Sequence, residues 1–253
     1  MPNALPEKWR ALAPAAFHPA GCPRSRFWDL GYHDRLAFYA VQALIDEADL
    51  TPKPALVDRR GSGAHPDLTL ESMHRSAHAL FPCFQSIAQT SAGKVPGLAL
   101  RAQLAAIGRD GESRMFAATG GSNSHKGAIW SLGLLVAGAV LSPDPAHPLA
   151  VASVAGRLAR FPDSNAPHAP THGTRVLERY GATGARGEAQ QGFPHVVHIG
   201  LPALLHARSR GVPENCARLD ALMAIMASLG DTCLLHRGGL PALHAAQQGA
   251  RLV

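Results

Sequence analysis

The amino-acid sequence predicts an all-α fold, on three observations. Segment after segment sets apolar residues three and four apart, the spacing of one helix face. A single β-branched run stands out, Val196-Val197-His198-Ile199, and one strand cannot make a sheet. No unit of about 20–50 residues recurs, which excludes a solenoid. No linker-like stretch follows the first 28 residues. Residues 29–253 are therefore expected to form one multi-helix domain, its charged, glycine-rich loops forming the site, behind an irregular, proline-rich arm at 1–28.

In order, the first helix covers 33–50, with Leu36, Tyr39, Ala40, Ala43, Leu44 and Ala48 on one face. Thr51-Pro52-Lys53-Pro54 stops it, because proline disfavours helical geometry in the residue before it. A charged, glycine-rich loop runs to about residue 66. A helix at 69–90 follows, kinked at Pro82, then two shorter ones at 96–107 and 111–118. Gly120-Gly121-Ser122-Asn123 is a tight turn. The apolar stretch 126–141 is a core helix whose glycines permit close approach of neighbours. Helices at 148–161, 171–180, 195–210 (Pro202 being a candidate break), 213–229 and 241–252 complete the set, with loops at 161–170 and 181–194.

Composition narrows the classes. Hydrophobic residues make up 46% and charged residues 17%, which excludes a disordered chain. The net charge is +6 and the pI about 9.5. The basic residues are spread out, with no long run of one sign, so a small anionic ligand is favoured over nucleic acid. Cys22, Cys83, Cys216 and Cys233 lie far apart without a CxxC pair, which suits a reducing compartment. The N-terminal stretch lacks an apolar core of a signal peptide. The longest near-apolar run, 128–141, falls short of the ~20 residues of a membrane span. The expectation is a soluble, cytoplasmic protein with no membrane or nucleic-acid partner.

Charge and glycine concentrate in loops 53–67, 119–126, 181–192 and 231–239, each beside an Ala/Leu-rich helix. Charged loops on a rigid scaffold are a common design for a ligand site. In the first, Lys53, Arg59 and Arg60 suit phosphates, and Asp58 and Asp67 suit magnesium or a base. Asp67 equally suits the N-cap of the next helix. In the second, Asn123, His125 and Lys126 sit among serines and glycines at a helix start. Backbone N–H groups and the helix dipole there favour an anion, although the Walker A spacing is absent. The plainer alternative is a Ser/Asn helix cap. In the third, Arg186 and Glu188 lie between glycines that admit a close ligand. In the fourth, Asp231, His236 and Arg237 either serve a ligand or mark a helix C-terminus with a glycine cap. His74 and His78 are four apart but lack a third zinc ligand.

At these four loops the sequence resembles triphosphoribosyl-dephospho-CoA synthase, the family that makes the prosthetic-group precursor for the acyl carriers of malonate decarboxylase and citrate lyase. The matching blocks are Pro52-Lys53-Pro54, Leu56-Val57-Asp58, Gly63-Ala64-His65 with Asp67, and His74-Arg75-Ser76-Ala77. Further along come Ala118-Thr119, Asn123, His125-Lys126-Gly127 and Ser131-Leu132-Gly133-Leu134-Leu135. The last are Gly184-Ala185-Arg186-Gly187-Glu188-Ala189 with Gly192, and Gly230-Asp231-Thr232 with Arg237-Gly238-Gly239. Their order is the family's, over about residues 35–240. The stretch from Val57 to His65 looks more like the malonate decarboxylase branch. Ala55 stands where the family usually has Gly, Ser122 and Ser124 where it has Val and Thr, and Cys233 where it has Asn. The family's later Ser-Pro-Gly-Gly-Ser-Ala-Asp-Leu-Leu segment does not occur before Val253.

The resemblance implies a transferase whose substrates are ATP and 3′-dephospho-CoA. It moves the 5-triphosphoribosyl group of ATP onto the acceptor's 2′-hydroxyl and releases adenine. The β-nucleoside becomes an α-linkage, as in one inverting displacement through an oxocarbenium-like state. By analogy with inverting glycosidases, a carboxylate takes the hydroxyl proton. Asp58, Asp67, Glu188 and Asp231 are the candidates for base or, except Glu188, for a magnesium ligand. Lys53, Arg59, Lys126, Arg186 and Arg237 are the phosphate holders, Asn123 joins the substrate-binding set, and His65 and His125 are the donors to phosphate or adenine. The expected ion is Mg²⁺, and the product would pass to the carrier-protein holo-transferase. The alternative is a non-catalytic relative that binds nucleotide or carrier protein, for which the absent segment and Cys233 speak.

Overall fold

The computed structural model describes residues 30–163, 165–166 and 172–253. The expected arm at 1–28 lies outside them, as does part of the loop 161–170. The chain is all-α: the described residues form α-helices and one short π-helical segment, with no strand.

Helix α1 (Tyr32–Asp49) buries Ala37, Ala40, Val41, Leu44 and Ala48. The buried stripe is rotated from the expected one: Tyr39 and Ala43 are exposed and Ala37 and Val41 take their place. The expected kinked helix at 69–90 is two helices, α2 (Leu70–Ala79) and α3 (Phe81–Ser91), joined at Leu80. Pro82 falls in the first turn of α3, where a missing N–H costs nothing. Thr69, not Asp67, caps α2, in a reciprocal pair with Ser72. The two short helices expected at 96–118 are one, α4 (Leu98–Thr119). It continues through Gly111, where a side chain would meet Cys83 Sγ at 2.6 Å, so packing on α3 outweighs poor glycine propensity.

Helix α5 (Lys126–Leu141) lies at the centre, packed against α1, α3, α4 and α6 (Pro148–Arg160). Its apolar residues surround the axis, as a helix covered on most sides requires. At Gly138 a Cβ would sit 2.6 Å from the Val151 carbonyl of α6, so only glycine fits that crossing. Leu80, Phe84, Met115 and Leu158 are fully buried in the surrounding core. Each large side chain so buried contributes about 1.5–3 kcal/mol.

Beyond α6 come α7 (His172–Tyr180) and α8 (Gly184–Gln190). Helix α8 corrects the expected loop at 181–194: it packs on α6 through Ala189, whose carbonyl a Cβ on Gly156 would meet at 3.1 Å. The β-branched run at 196–199 is π-helical (Val196–Gly200) and feeds α9 (Leu201–Ser209) without a break at Pro202. The wider π turn accommodates a proline in the next turn. Helix α10 (Glu214–Met226) precedes α11 (Thr232–Arg251). Segment 231–239 is therefore a helix start capped by Asp231, not a helix end, and α11 bends at Gly239 just before Pro241.

Candidate active site

The loop between α1 and α2 is built around two buried charges. The Asp58 carboxylate accepts the Lys53 N–H at 2.8 Å, the Arg60 N–H at 2.8 Å and the Arg60 guanidinium at 2.9 Å. The Arg60 guanidinium, then the Lys53 N–H, hold that carboxyl well below the usual carboxylate range. The Lys53 side chain is 1% exposed; its ammonium donates to the Glu47 carboxylate at 2.6 Å and to the Glu47 carbonyl in the last turn of α1. Gly63 turns the chain with a left-handed φ of 56°, and a Cβ there would lie 2.5 Å from the Ala55 carbonyl. Arg59 reaches Asp49 at 3.2 Å, and the other Asp49 oxygen meets His74 at 2.9 Å. His65 is half-buried, and Asp67 is exposed with no carboxylate partner among the described residues.

Turn 119–126 leans on this loop through Ser122, whose hydroxyl donates to the Asp67 carbonyl at 3.2 Å. Asn123 accepts the Lys126 N–H at 3.2 Å and so caps α5. The exposed Lys126 ammonium pairs with Glu112 at 3.0 Å. His125 is 4% exposed. The Ser124 hydroxyl donates to Ser76 Oγ at 2.7 Å, and Ser76 Oγ is 2.9 Å from His125 Nδ1. In the tautomer in which Ser76 gives its hydrogen to Nδ1, the ring proton sits on Nε2. That buried Nε2 has no partner among the described residues. Burial, then the charge of Lys53, push the ring's pKa down to about 4, so the ring is neutral.

The third segment sits one turn along α5. Trp130 donates its indole N–H to the Ala185 carbonyl at 3.4 Å. Arg186 is exposed and makes no hydrogen bond among the described residues. Glu188 is committed to His195: one oxygen accepts the His195 N–H at 2.8 Å, the other meets His195 Nδ1 at 2.8 Å. The imidazole is thereby oriented with Nε2 left over for a proton. The fourth segment abuts the third, since a Cβ on Gly184 would touch Thr232 at 2.8 Å. Asp231 caps α11 by accepting from the N–H groups of Cys233 at 2.6 Å and Leu234 at 3.0 Å. Arg237 lines an open depression of about 470 Å³ with Arg179, Tyr180, His236 and Pro241.

The residues singled out in the sequence thus fall into three linked places. Lys53, Asp58, Arg59, His65, Asp67, Asn123, His125 and Lys126 share the first; Arg186 and Glu188 the second; Asp231 and Arg237 the third. Lys53, Asp58 and Asp231 hold the fold with the groups a ligand would need, whereas Asp67, Lys126, Arg186, Arg237 and the His125 Nε2–H face outward or lack a partner. Sequence reasoning missed Ser76, Glu112 and His195. Ser76 lies in a quoted block but shows its role only through His125, and a turn between Glu188 and His195 hides their pairing. Among the described residues no three His, Cys, Asp or Glu side chains form a metal cluster, and no helix is long and apolar enough to cross a membrane.

Residues 33–253 match the family model of ATP:dephospho-CoA triphosphoribosyl transferase. A probable 2-(5″-triphosphoribosyl)-3′-dephosphocoenzyme-A synthase of Pseudomonas fluorescens is 57% identical over 222 residues, covering 87% of this chain and 76% of the relative. Its counterpart in Azotobacter vinelandii is 55% identical with the same coverage. The 2-(5″-triphosphoribosyl)-3′-dephosphocoenzyme-A synthase of Klebsiella pneumoniae is 51% identical over 215 residues, covering 85% of this chain and 77% of that one. No solved structure matches. On the match of nearly the whole described chain, together with these relatives, the protein belongs to the ATP:dephospho-CoA triphosphoribosyl transferase family.

Proposed function

We propose that the first place holds the triphosphoribosyl donor and the second activates the acceptor. The observation that carries this reading is His125: a buried, neutral imidazole whose Nδ1 meets Ser76 and whose Nε2 has no partner among the described residues, at the start of α5 beside Lys126. A donor kept neutral in this way gives a hydrogen bond to an anionic phosphate or to departing adenine without competing for the proton. Lys126 and Asn123 lie beside it in the same turn, and Arg59 on the neighbouring loop completes the set that would hold the triphosphate of ATP.

In the reaction the bond from the ribose anomeric carbon to adenine breaks and a bond from that carbon to the 2′-oxygen of 3′-dephospho-CoA forms. The hydroxyl proton goes to His195 Nε2, with Glu188 orienting the ring and stabilising the imidazolium; adenine departs with the bonding pair and takes one proton from solvent, to which His195 later returns its own. Glu188 is thus a positioning residue and His195 the base. For Mg²⁺, which takes few protein ligands and mostly phosphate and water, Asp67 fits: its carboxylate is exposed and unpartnered beside the cationic loop. Asp58 and Asp231 do not fit, because their oxygens are spent on Arg60 and on the α11 N–H groups. Bound with ATP, the ion offsets the triphosphate charge.

The stretch from Val57 to His65 supports a place in the malonate decarboxylase system, with hand-over of the product to a holo-transferase. The buried thiol of Cys83 and the absence of disulfides among the described cysteines support a cytoplasmic setting. The test is adenine release from ATP, Mg²⁺ and 3′-dephospho-CoA against a control without acceptor. Acceptor-dependent adenine, with a product heavier by a ribosyl triphosphate, is the expected result. Adenine formed equally without acceptor would mean hydrolysis and overturn the reading.

A further inference from the structure

Arg101, in the first turn of α4, is 7% exposed. Its guanidinium lies 4.9 Å from the centre of the Trp130 ring. Its buried Nε–H has no acceptor among the described residues. The surrounding charge does not balance it. Asp163 attracts Arg101, but Asp163 is already held by Arg109 at 2.7 Å and by the Asn165 N–H at 3.1 Å. Arg109 and Arg186 both repel it. Burying a guanidinium without an acceptor is costly, and a cationic neighbour adds to the cost. An arrangement of this kind is relieved by an anion.

The geometry defines which anion. Two guanidinium groups, one fixed against an aromatic wall and one exposed, suit the paired oxygens of a diphosphate, which the planar fork contacts two at a time. Trp130 is anchored to the Ala185 carbonyl, next to Arg186, so the wall and the second cation are joined. Trp130 also stands four residues after Lys126, one helical turn or about 6 Å along α5. The anion at Arg101 is therefore adjacent to the Lys126 place but distinct from it. A reaction between two nucleotides, one a triphosphate and one a diphosphate, needs two such places. Arg186 shares its short segment with Glu188 and His195, which handle the acceptor hydroxyl.

We propose that Arg101 and Arg186, against Trp130, form an anion subsite for the diphosphate of the acceptor nucleotide. This rests on the transferase reading above. The experiment is steady-state adenine release by the full chain, with Arg101→Lys and Arg186→Gln, varying each substrate in turn. Either variant is expected to raise KM for 3′-dephospho-CoA about tenfold and to leave KM for ATP within about twofold. Inorganic pyrophosphate at saturating ATP is expected to compete with the acceptor. A rise in KM for ATP alone, or no change in either KM, overturns the proposal. Failure of the transferase reading shows separately, as no acceptor-dependent adenine from the unmutated chain. In that event calorimetric titration with pyrophosphate still decides the subsite: binding weakened about tenfold by Arg186→Gln, with an unchanged melting temperature, supports it, and binding indifferent to both substitutions overturns it.

Discussion

The loop between α1 and α2 and the segment from α8 to His195 carry similar sequence signals, acids and bases among glycines, yet use them in opposite ways. In the first, Lys53, Asp58 and Arg60 satisfy one another and the backbone, leaving little capacity for a ligand. In the second, both Glu188 oxygens go to His195, and Arg186 has no partner among the described residues. Charge in a glycine-rich loop is therefore a poor guide by itself. What separates scaffold from site is whether the hydrogen-bonding capacity of each charge is already spent.

Substitutions on the two sides sharpen this contrast, or break it. The largest effect is expected from Glu188→Gln, which disturbs the orientation of His195. Turnover should fall about 10²–10⁴-fold and the acid limb of the pH–rate profile should change, with the melting temperature nearly unchanged. Asp58→Asn should show the reverse: it unbalances Arg60 and weakens the turn, lowering the melting temperature by roughly 5–10 °C before it affects the chemistry. If Asp58→Asn melted normally and lost turnover, Asp58 would belong to the site and the contrast would fail.

A pH titration of stability comes next. The His125 ring stays neutral until about pH 4, while in the unfolded chain it takes a proton near its ordinary value of 6.5. Its contribution is thus fully present above pH 6.5 and is lost as pH falls toward 4, by as much as about 3 kcal/mol. Denaturant melts of the native chain and His125→Gln across that window should diverge; parallel curves would show that the buried ring is not the cause. The smallest effect belongs to Ala55, whose φ of 58° lies in the left-handed region. Ala55→Gly relieves that strain and should stabilise by about 0.5–1 kcal/mol, the loss of chain stiffness offsetting part of the gain.

The helical class and most helix bounds were legible because apolar spacing reports packing directly: 126–141 is read to the residue. The joins were not. Gly108 and Gly111 suggest a break that α4 does not have, since Cys83 fills the space where a side chain would stand. The helix in 184–190 was hidden by its glycines, which are there for contact with Thr232 and Thr183. In the site, the motifs located the right segments but not the division of labour. Whether Lys53 points at Glu47 or at a ligand is decided by burial, and burial is not written in a motif. Arg101 carried one readable signal, an arginine on the stripe formed by Leu100 and Leu104.

The glycine crossing of α5 and α6 bears on how a nucleotide would be received. Gly138 lies against the Val151 carbonyl, and a Cβ on Gly156 would stand 3.1 Å from the Ala189 carbonyl of α8. Backbones this close leave no slack for one helix to slide on the next. The N-terminal half of α5, with Lys126 and Trp130, and the helix that carries Arg186 and Glu188 are therefore mounted on a single stiff frame. Ordering on binding then falls on side chains rather than on the main chain, which keeps its entropic cost low. Amides of α5 and α6 should accordingly be among the last to exchange with deuterium, with or without ligand.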